Sequence, residues 1–219
     1  VCAGGQVTLN GSGGVSYTWN NGVTNGVAFT PASTTTYTIT GTDGNGCQNT
    51  DQVTVTVNAL PTIDAGNSQS VCAGGQVTLT ATGGVTYTWN NGVSNGVAFT
   101  PNATTTYAVT GISAQGCQNT DQVTVTVNAL PTISAGTNQT VCAGDQVVLS
   151  GSGGVSYTWS NGVVNNQGFQ PSIGNNQYTV TGTDANGCVN TSTVTVTVLP
   201  VPVAGVSSTD PLSGYPGLT

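Results

Sequence analysis

Val71-Cys72-Ala73-Gly74-Gly75-Gln76-Val77-Thr78-Leu79 (VCAGGQVTL) decides the reading of this chain. The same nine residues stand at 1–9, and a close variant, VCAGDQVVL, stands at 141–149. Self-similarity at a fixed period marks a repeat architecture, and the period here is 70. Residues 1–60 align on 71–130 without a gap and match at 47 of 60 positions. The third copy diverges further and carries one extra residue between Pro171 and Tyr178.

Working outward, copies two and three open with PTIDAGNSQS (61–70) and PTISAGTNQT (131–140), a segment without a counterpart before Val1. After copy three, LPVPVAG (199–205) resembles LPTIDAG (60–66). These landmarks divide the chain into a first repeat at 1–60 missing its first strand, a second at 61–130 and a third at 131–199. Residues 200–219 form either the start of a following repeat or a strand-donating tail. The joints NALP (58–61, 128–131) and VLP (198–200) are short and carry proline, which restricts the backbone and argues for a stiff rod. Val1 in place of Met suggests a mature or excised piece of something longer.

Within copy two, Gln76–Thr82 alternates apolar and polar residues with the period of a half-buried strand. Thr86–Asn90 carries Tyr87 and Trp89 on one face, and Asn90-Asn91-Gly92 reads as a hairpin turn. Gly96–Thr100 is a third strand ended by Pro101, and Thr105–Thr110 a fourth. A loop over Gly111–Gly116 leads to Cys117. Gln122–Val127 then places Val123, Val125 and Val127 inward and Thr124 and Thr126 outward. With the opening segment, six or seven short strands per 70 residues predict an all-β chain of three tandem β-sandwiches.

The composition agrees. The hydrophobic share is 36%, and Lys, Arg and His are absent, leaving seven carboxylates, all Asp. Helix formers are scarce. Nucleic-acid partners are excluded because that affinity rests on Lys and Arg. Membrane insertion is excluded because no apolar run approaches the roughly 18 residues of a spanning helix. A chain without Lys or Arg also offers no site to trypsin-like proteases, which suits exposure outside the cell.

Six Cys suggest disulfides and a secreted, oxidising location. Cys2 and Cys47 are 45 apart, Cys72 and Cys117 are 45 apart, and Cys142 and Cys188 are 46 apart. Pairing within each repeat is the most economical of the 15 connectivities. Each such bridge would be worth roughly 4 kcal/mol in the chain-entropy model. It would pin a strand-entry turn to a late hairpin near one end of the sandwich. Trp19, Trp89 and Trp159, with Tyr37, Tyr107 and Tyr178, read as core aromatics; a surface Trp stacking on a sugar is the alternative.

The succession VCAGGQVTL, YTW, TTTYTITGTDGNGC and VTVTV resembles the immunoglobulin-like or PKD-like repeats of very large surface and secreted proteins of Bacteroidetes, including repetitive adhesins of gliding members. The resemblance covers nearly all of 1–199 and leaves out 206–219. It implies immunoglobulin-like sandwiches in a secreted, cell-surface or filament setting, acting as spacers and adhesive surface.

Chemistry is hard to place on this chain. Asp is the only candidate acid or base, and no Asp recurs in all three copies: Asp51 and Asp121 become Ser192, and Asp43 and Asp184 become Ser113. No catalytic residue, metal site or cofactor is expected. Two isolated Cys per repeat without His make no zinc site, and only Asp64 lies near a joint that calcium could stiffen. Outward Thr54, Thr56, Thr124 and Thr126 suit a charge-free solvent face better than an ice-binding ladder. Surface glycans are a conceivable ligand, with no cluster selecting them.

Two assemblies follow. One is a covalent array of many such repeats, with other repeats along the rod as partners. The other is a non-covalent filament in which Pro200–Ser207 of one copy, through Val201, Val203 and Val206, completes the open sheet of the next.

Overall fold

The computed structural model describes residues 1–205, so Val206 and the rest of the tail lie outside it. The described chain is all-β, with one single-turn 3-10 element at Ser160–Gly162. It forms two compact units, Val1–Asn128 and Ala129 onward. The first holds repeats one and two.

Repeat two shows the plan. A four-stranded sheet runs in the order Gln69–Cys72, Gln118–Asn128, Thr105–Ile112, Thr86–Trp89. The first pair is parallel, with Val71 opposite Val127 and Cys72 opposite Asn128; the others are antiparallel. The facing layer is the pair Val77–Thr78 and Ala98–Phe99, extended by a bridge between Asp64 and Thr82. Side-chain alternation along the long strand sends Val123 and Val125 into the core and leaves Thr124 to meet Thr106 hydroxyl to hydroxyl at 3.1 Å. Ile63, Ala65, Val77, Leu79, Ala81, Trp89, Tyr107 and Val109 complete the core. These paired layers are immunoglobulin-like β-sandwiches in tandem.

The long strand outgrows the sequence expectation of 122–127 at both ends, because Gln118–Thr120 stays in register with Ile112–Thr110. The strand expected over 76–82 shrinks to two ladder residues. Its partner is cut short by Gly96 at φ +73° and by Pro101. The hairpin expected at Asn90-Asn91-Gly92 is absent. Asn91 and Gly92 do take positive φ, yet Thr86–Trp89 and Ala98–Phe99 belong to different sheets. The turn is a crossover between layers. Asn95 fixes it by accepting both the Ala81 amide (2.7 Å) and the Trp89 indole N–H (3.0 Å) on one carbonyl oxygen. Asn25 and Asn165 do the same for Trp19 and Trp159. All three Trp and the three Tyr (37, 107, 178) are buried. Each Tyr ring meets a Phe ring edge to face, with centroids 5.2 Å apart.

Candidate functional site: the joint and its open counterpart

The joint between repeats one and two starts from two strand ends. In repeat one, Cys2 bridges Asn58, three residues past the exit end of the last strand, Gln48–Val55, and Ala3 donates its amide to the Asn58 carbonyl (2.8 Å). In repeat two, Cys117 sits in the hairpin just before Gln118, at the entry end. The parallel pairing therefore separates the two cysteines of any one repeat. Cys72 lies beside the far end of an eleven-residue strand whose near end adjoins Cys117. At 3.3–3.4 Å per residue the separation is about 33 Å. A disulfide needs Cα atoms within roughly 7 Å.

The expected pairing within repeats is thus corrected. Cys2 is bonded to Cys117 of the next repeat, with Cα atoms 5.5 Å apart and 115 residues between them in sequence. Cys72 stands in a disulfide too, and so does Cys188. Cys47 and Cys142, expected in bridges, are exposed free thiols. The staple joins the exit of one module to the entry of its successor. It does not close one module on itself.

The second half of the joint is the segment 61–66. Asp64 exchanges backbone hydrogen bonds with Thr82 (3.1 and 2.9 Å). Asn119 donates from its side chain to the Pro61 carbonyl (3.0 Å), and the Ala65 amide donates to the Asp121 carboxylate (2.8 Å). That amide, followed by the Gln122 amide, holds the Asp121 carboxyl below its ordinary value. Ile63 lies over Gly111 so closely that any Cβ there would collide with its Cδ1. A Cβ on Gly83 would run into the Thr62 carbonyl. The two glycines are the shape of this seat. Repeat three repeats it: Ile133 lies over Gly182, and Asn190 donates to the Pro131 carbonyl (3.0 Å).

Repeat one carries the residues equivalent to this seat. Gly13, Gly14, Tyr17, Gly41, Asn49 and Asp51 border an open groove of about 430 Å³, with Cys47 on its rim. A Cβ on Gly13 would meet nothing within 4 Å, and one on Gly41 would meet only Tyr17, at 3.6 Å. The Asp51 carboxylate accepts its neighbour Gln52 (2.8 Å).

The remaining described Asp residues serve the local backbone. Asp43 accepts the amides of Asn45 and Cys47 (2.8 and 2.9 Å), and Asp184 those of Asn186 and Cys188 (2.9 and 2.8 Å). Both shape the hairpin that presents the second cysteine of a repeat; Ser113 does so for Cys117 (3.2 Å). Asp145 accepts the Cys142 amide (3.0 Å). Among the described residues no three His, Cys, Asp or Glu side chains gather into a metal-sized group. No helix among them is long and apolar enough to cross a membrane. Val201 and Val203 of the expected donor tail are exposed.

No protein-family model matches the sequence, and no characterised protein does. Similar solved structures include tandem immunoglobulin, fibronectin(III)-like and cadherin modules. The titin I-band fragment I67–I69 is 9% identical, with 89% of this chain and 87% of that one covered, at a TM-score of 0.36. Immunoglobulin domains 1–4 of Sidekick-1 are 16% identical over 91% of this chain and 73% of that one, TM-score 0.34. The insect immune protein hemolin is 14% identical over 75% of this chain and 56% of that one, TM-score 0.35.

Proposed function

We propose that the chain is a non-catalytic structural and adhesive segment of an extracellular repeat array, its modules carrying tension between a surface and whatever lies beyond. The carrying observation is the Cys2–Cys117 bond, which ties a residue at the exit of one module to the hairpin at the entry of the next. A bond placed there resists separation of neighbours, which a bond inside one sandwich would not. The fit to a secreted setting is chemical: a staple of this kind persists only where thiols are oxidised. The reading as a non-enzyme is supported by the described Asp residues, which are engaged by nearby amides and gather into no cluster among the described residues. No observation favours a glycan site.

Stretching single molecules by their ends tests the mechanical reading. Unfolding in oxidising buffer leaves the 115-residue stretch between Cys2 and Cys117 closed. Reductant should then release at least roughly 390 Å of further extension, at about 3.4 Å per residue. Equal extension with and without reductant would contradict it.

A further inference from the structure

We infer that Asn21, Asn91 and Asn161 are sites of spontaneous covalent modification. Each loses its side-chain amide by ring closure onto the following glycine, which leaves aspartate or isoaspartate at one turn of every repeat. The observation behind this is a tripeptide that stands twice in each of the first two repeats, in opposite surroundings. Asn-Gly-Val occupies 91–93 and again 95–97; it also occupies 21–23 and 25–27, and repeat three has it at 161–163. The tripeptide is the same, so what separates its copies is structural.

At 95–97 the reacting groups are tied. The Asn95 carbonyl oxygen accepts the Ala81 amide and the Trp89 indole N–H. The Gly96 amide, whose nitrogen would have to attack, donates to the Leu79 carbonyl (2.8 Å). Repeat one ties Asn25 in the same way, through the Gly11 amide and the Trp19 indole, and Gly26 donates to the Leu9 carbonyl (2.9 Å). In the other Asn-Gly steps the glycine amide is engaged as well. Gly11 donates to Asn25 (2.7 Å), and Gly46 and Gly187 donate to the Asp43 and Asp184 carbonyls (3.2 Å each).

At 91–93 nothing is tied. Asn91 and Gly92 are exposed. Neither the Asn91 side chain nor the Gly92 amide has a hydrogen-bond partner among the described residues. A Cβ on Gly22, Gly92 or Gly162 would meet nothing within 4 Å, so water approaches each amide freely. Asn91 and Gly92 take φ of 54° and 72°. One bond closes the turn, from the Val93 amide to the Asn90 carbonyl, and at 3.3 Å it is long. The equivalent bonds are 3.4 Å at Val23 and 3.3 Å at Val163. A turn held so lightly opens locally at little cost, which lets the glycine nitrogen swing onto the asparagine Cγ.

Solvent base takes the Gly92 amide proton, and the nitrogen attacks Asn91 Cγ. The bond from Cγ to the side-chain nitrogen breaks, and ammonia leaves with a solvent proton. Water then opens the resulting succinimide at either carbonyl. Cleavage of the new bond to Cγ restores the backbone as aspartate; cleavage at the α-carbonyl leaves isoaspartate, with the chain running through Cγ. Nothing is oxidised or reduced, and water is the only co-reactant. Three conversions take the formal net charge from −7 to −10, in a chain with no Lys or Arg to offset it.

This inference does not rest on the array reading. Its test incubates the oxidised full chain in warm, mildly alkaline buffer and cuts it at aromatic residues. Cleavage after Trp89 and Phe99 puts Asn91 and Asn95 in one peptide, 90–99. Tandem mass spectrometry then reads the mass gained wherever an amide has become a carboxylate. In the folded chain Asn91 should convert roughly tenfold faster than Asn95 or more, because the bonds around Asn95 must open first. In the reduced, denatured chain the two rates should converge. Conversion of Asn95 as fast as Asn91 in the folded chain would overturn the inference. So would an Asn91 that keeps its amide while the denatured chain converts.

Discussion

Repeats one and two are nearly the same sequence packed to different depths. Leu9 and Leu79 occupy equivalent places, as do Val53 and Val123, yet Val53 is 39% exposed and Val123 only 3%. The buried cluster of repeat one is Leu9, Trp19, Tyr37 and Val55; that of repeat two adds Ile63, Ala65 and the residues they cover. What separates them is the segment 61–66. The difference teaches that the opening segment 61–66 is a wall of the core of repeat two.

The largest way to break the comparison is at the staple. Cys117→Ser removes a cross-link closing 115 residues, worth about 5 kcal/mol in the chain-entropy model. Denaturant unfolding of the oxidised protein should show a loss of that order in the first unit. Cys47→Ser should change the stability of the monomer by less than about 0.5 kcal/mol, as an exposed substitution does.

Glycine substitutions sharpen the contrast at one position in two contexts. Gly111→Ala drives a methyl into Ile63, and overpacking of a seated core side chain costs about 1–3 kcal/mol. Gly41→Ala meets only Tyr17 at van der Waals distance, so its midpoint should move little. Thermal unfolding of the two variants reads the difference, and equal losses would mean that Ile63 is not the wall it is taken to be.

Asn95→Ala strips the partner from the Trp89 indole and the Ala81 amide together. A buried donor left unpaired costs about 1–3 kcal/mol. Asn25→Ala makes the same change in the more open repeat, where water can reach the freed groups, and should cost less. Unfolding midpoints of both variants check the ordering.

The smallest effect is on pH. Asp121 has its pKa lowered on folding by the Ala65 and Gln122 amides. Its contribution is therefore present above the unfolded value of about 3.8 and lost as pH falls through the lowered folded value. Wild type should lose stability over that acidic interval relative to Asp121→Asn.

Much of this was legible in the sequence. The 70-residue period, the Val/Thr alternation at 123–127, and the aromatic positions at Trp89 and Tyr107 follow from local pattern, and local pattern is what strands record. The cysteine pairing was not legible from spacing. An interval of 45 is the same whether the bond closes one repeat or joins two. The decisive fact is that Gln69–Cys72 pairs parallel to Val125–Asn128, a long-range choice that moves Cys72 to the far end of the sheet. The role of Asn95 was hidden for a similar reason: Asn next to Gly signals a turn, and only the layering shows that the turn changes sheets. The roles of Asn119 and Asp121 in holding Pro61 and Ala65 were not legible either, because both contacts join residues far apart in sequence.

The central claim is that the disulfide joins consecutive repeats. Peptide mapping of the unreduced protein tests it most directly, with cleavage at Asp and at aromatic residues because the chain has no Lys or Arg. The Cys2 peptide should be found linked to the Cys117 peptide, with Cys47 and Cys142 open to alkylation in the monomer. A Cys2 peptide linked to Cys47 would contradict it.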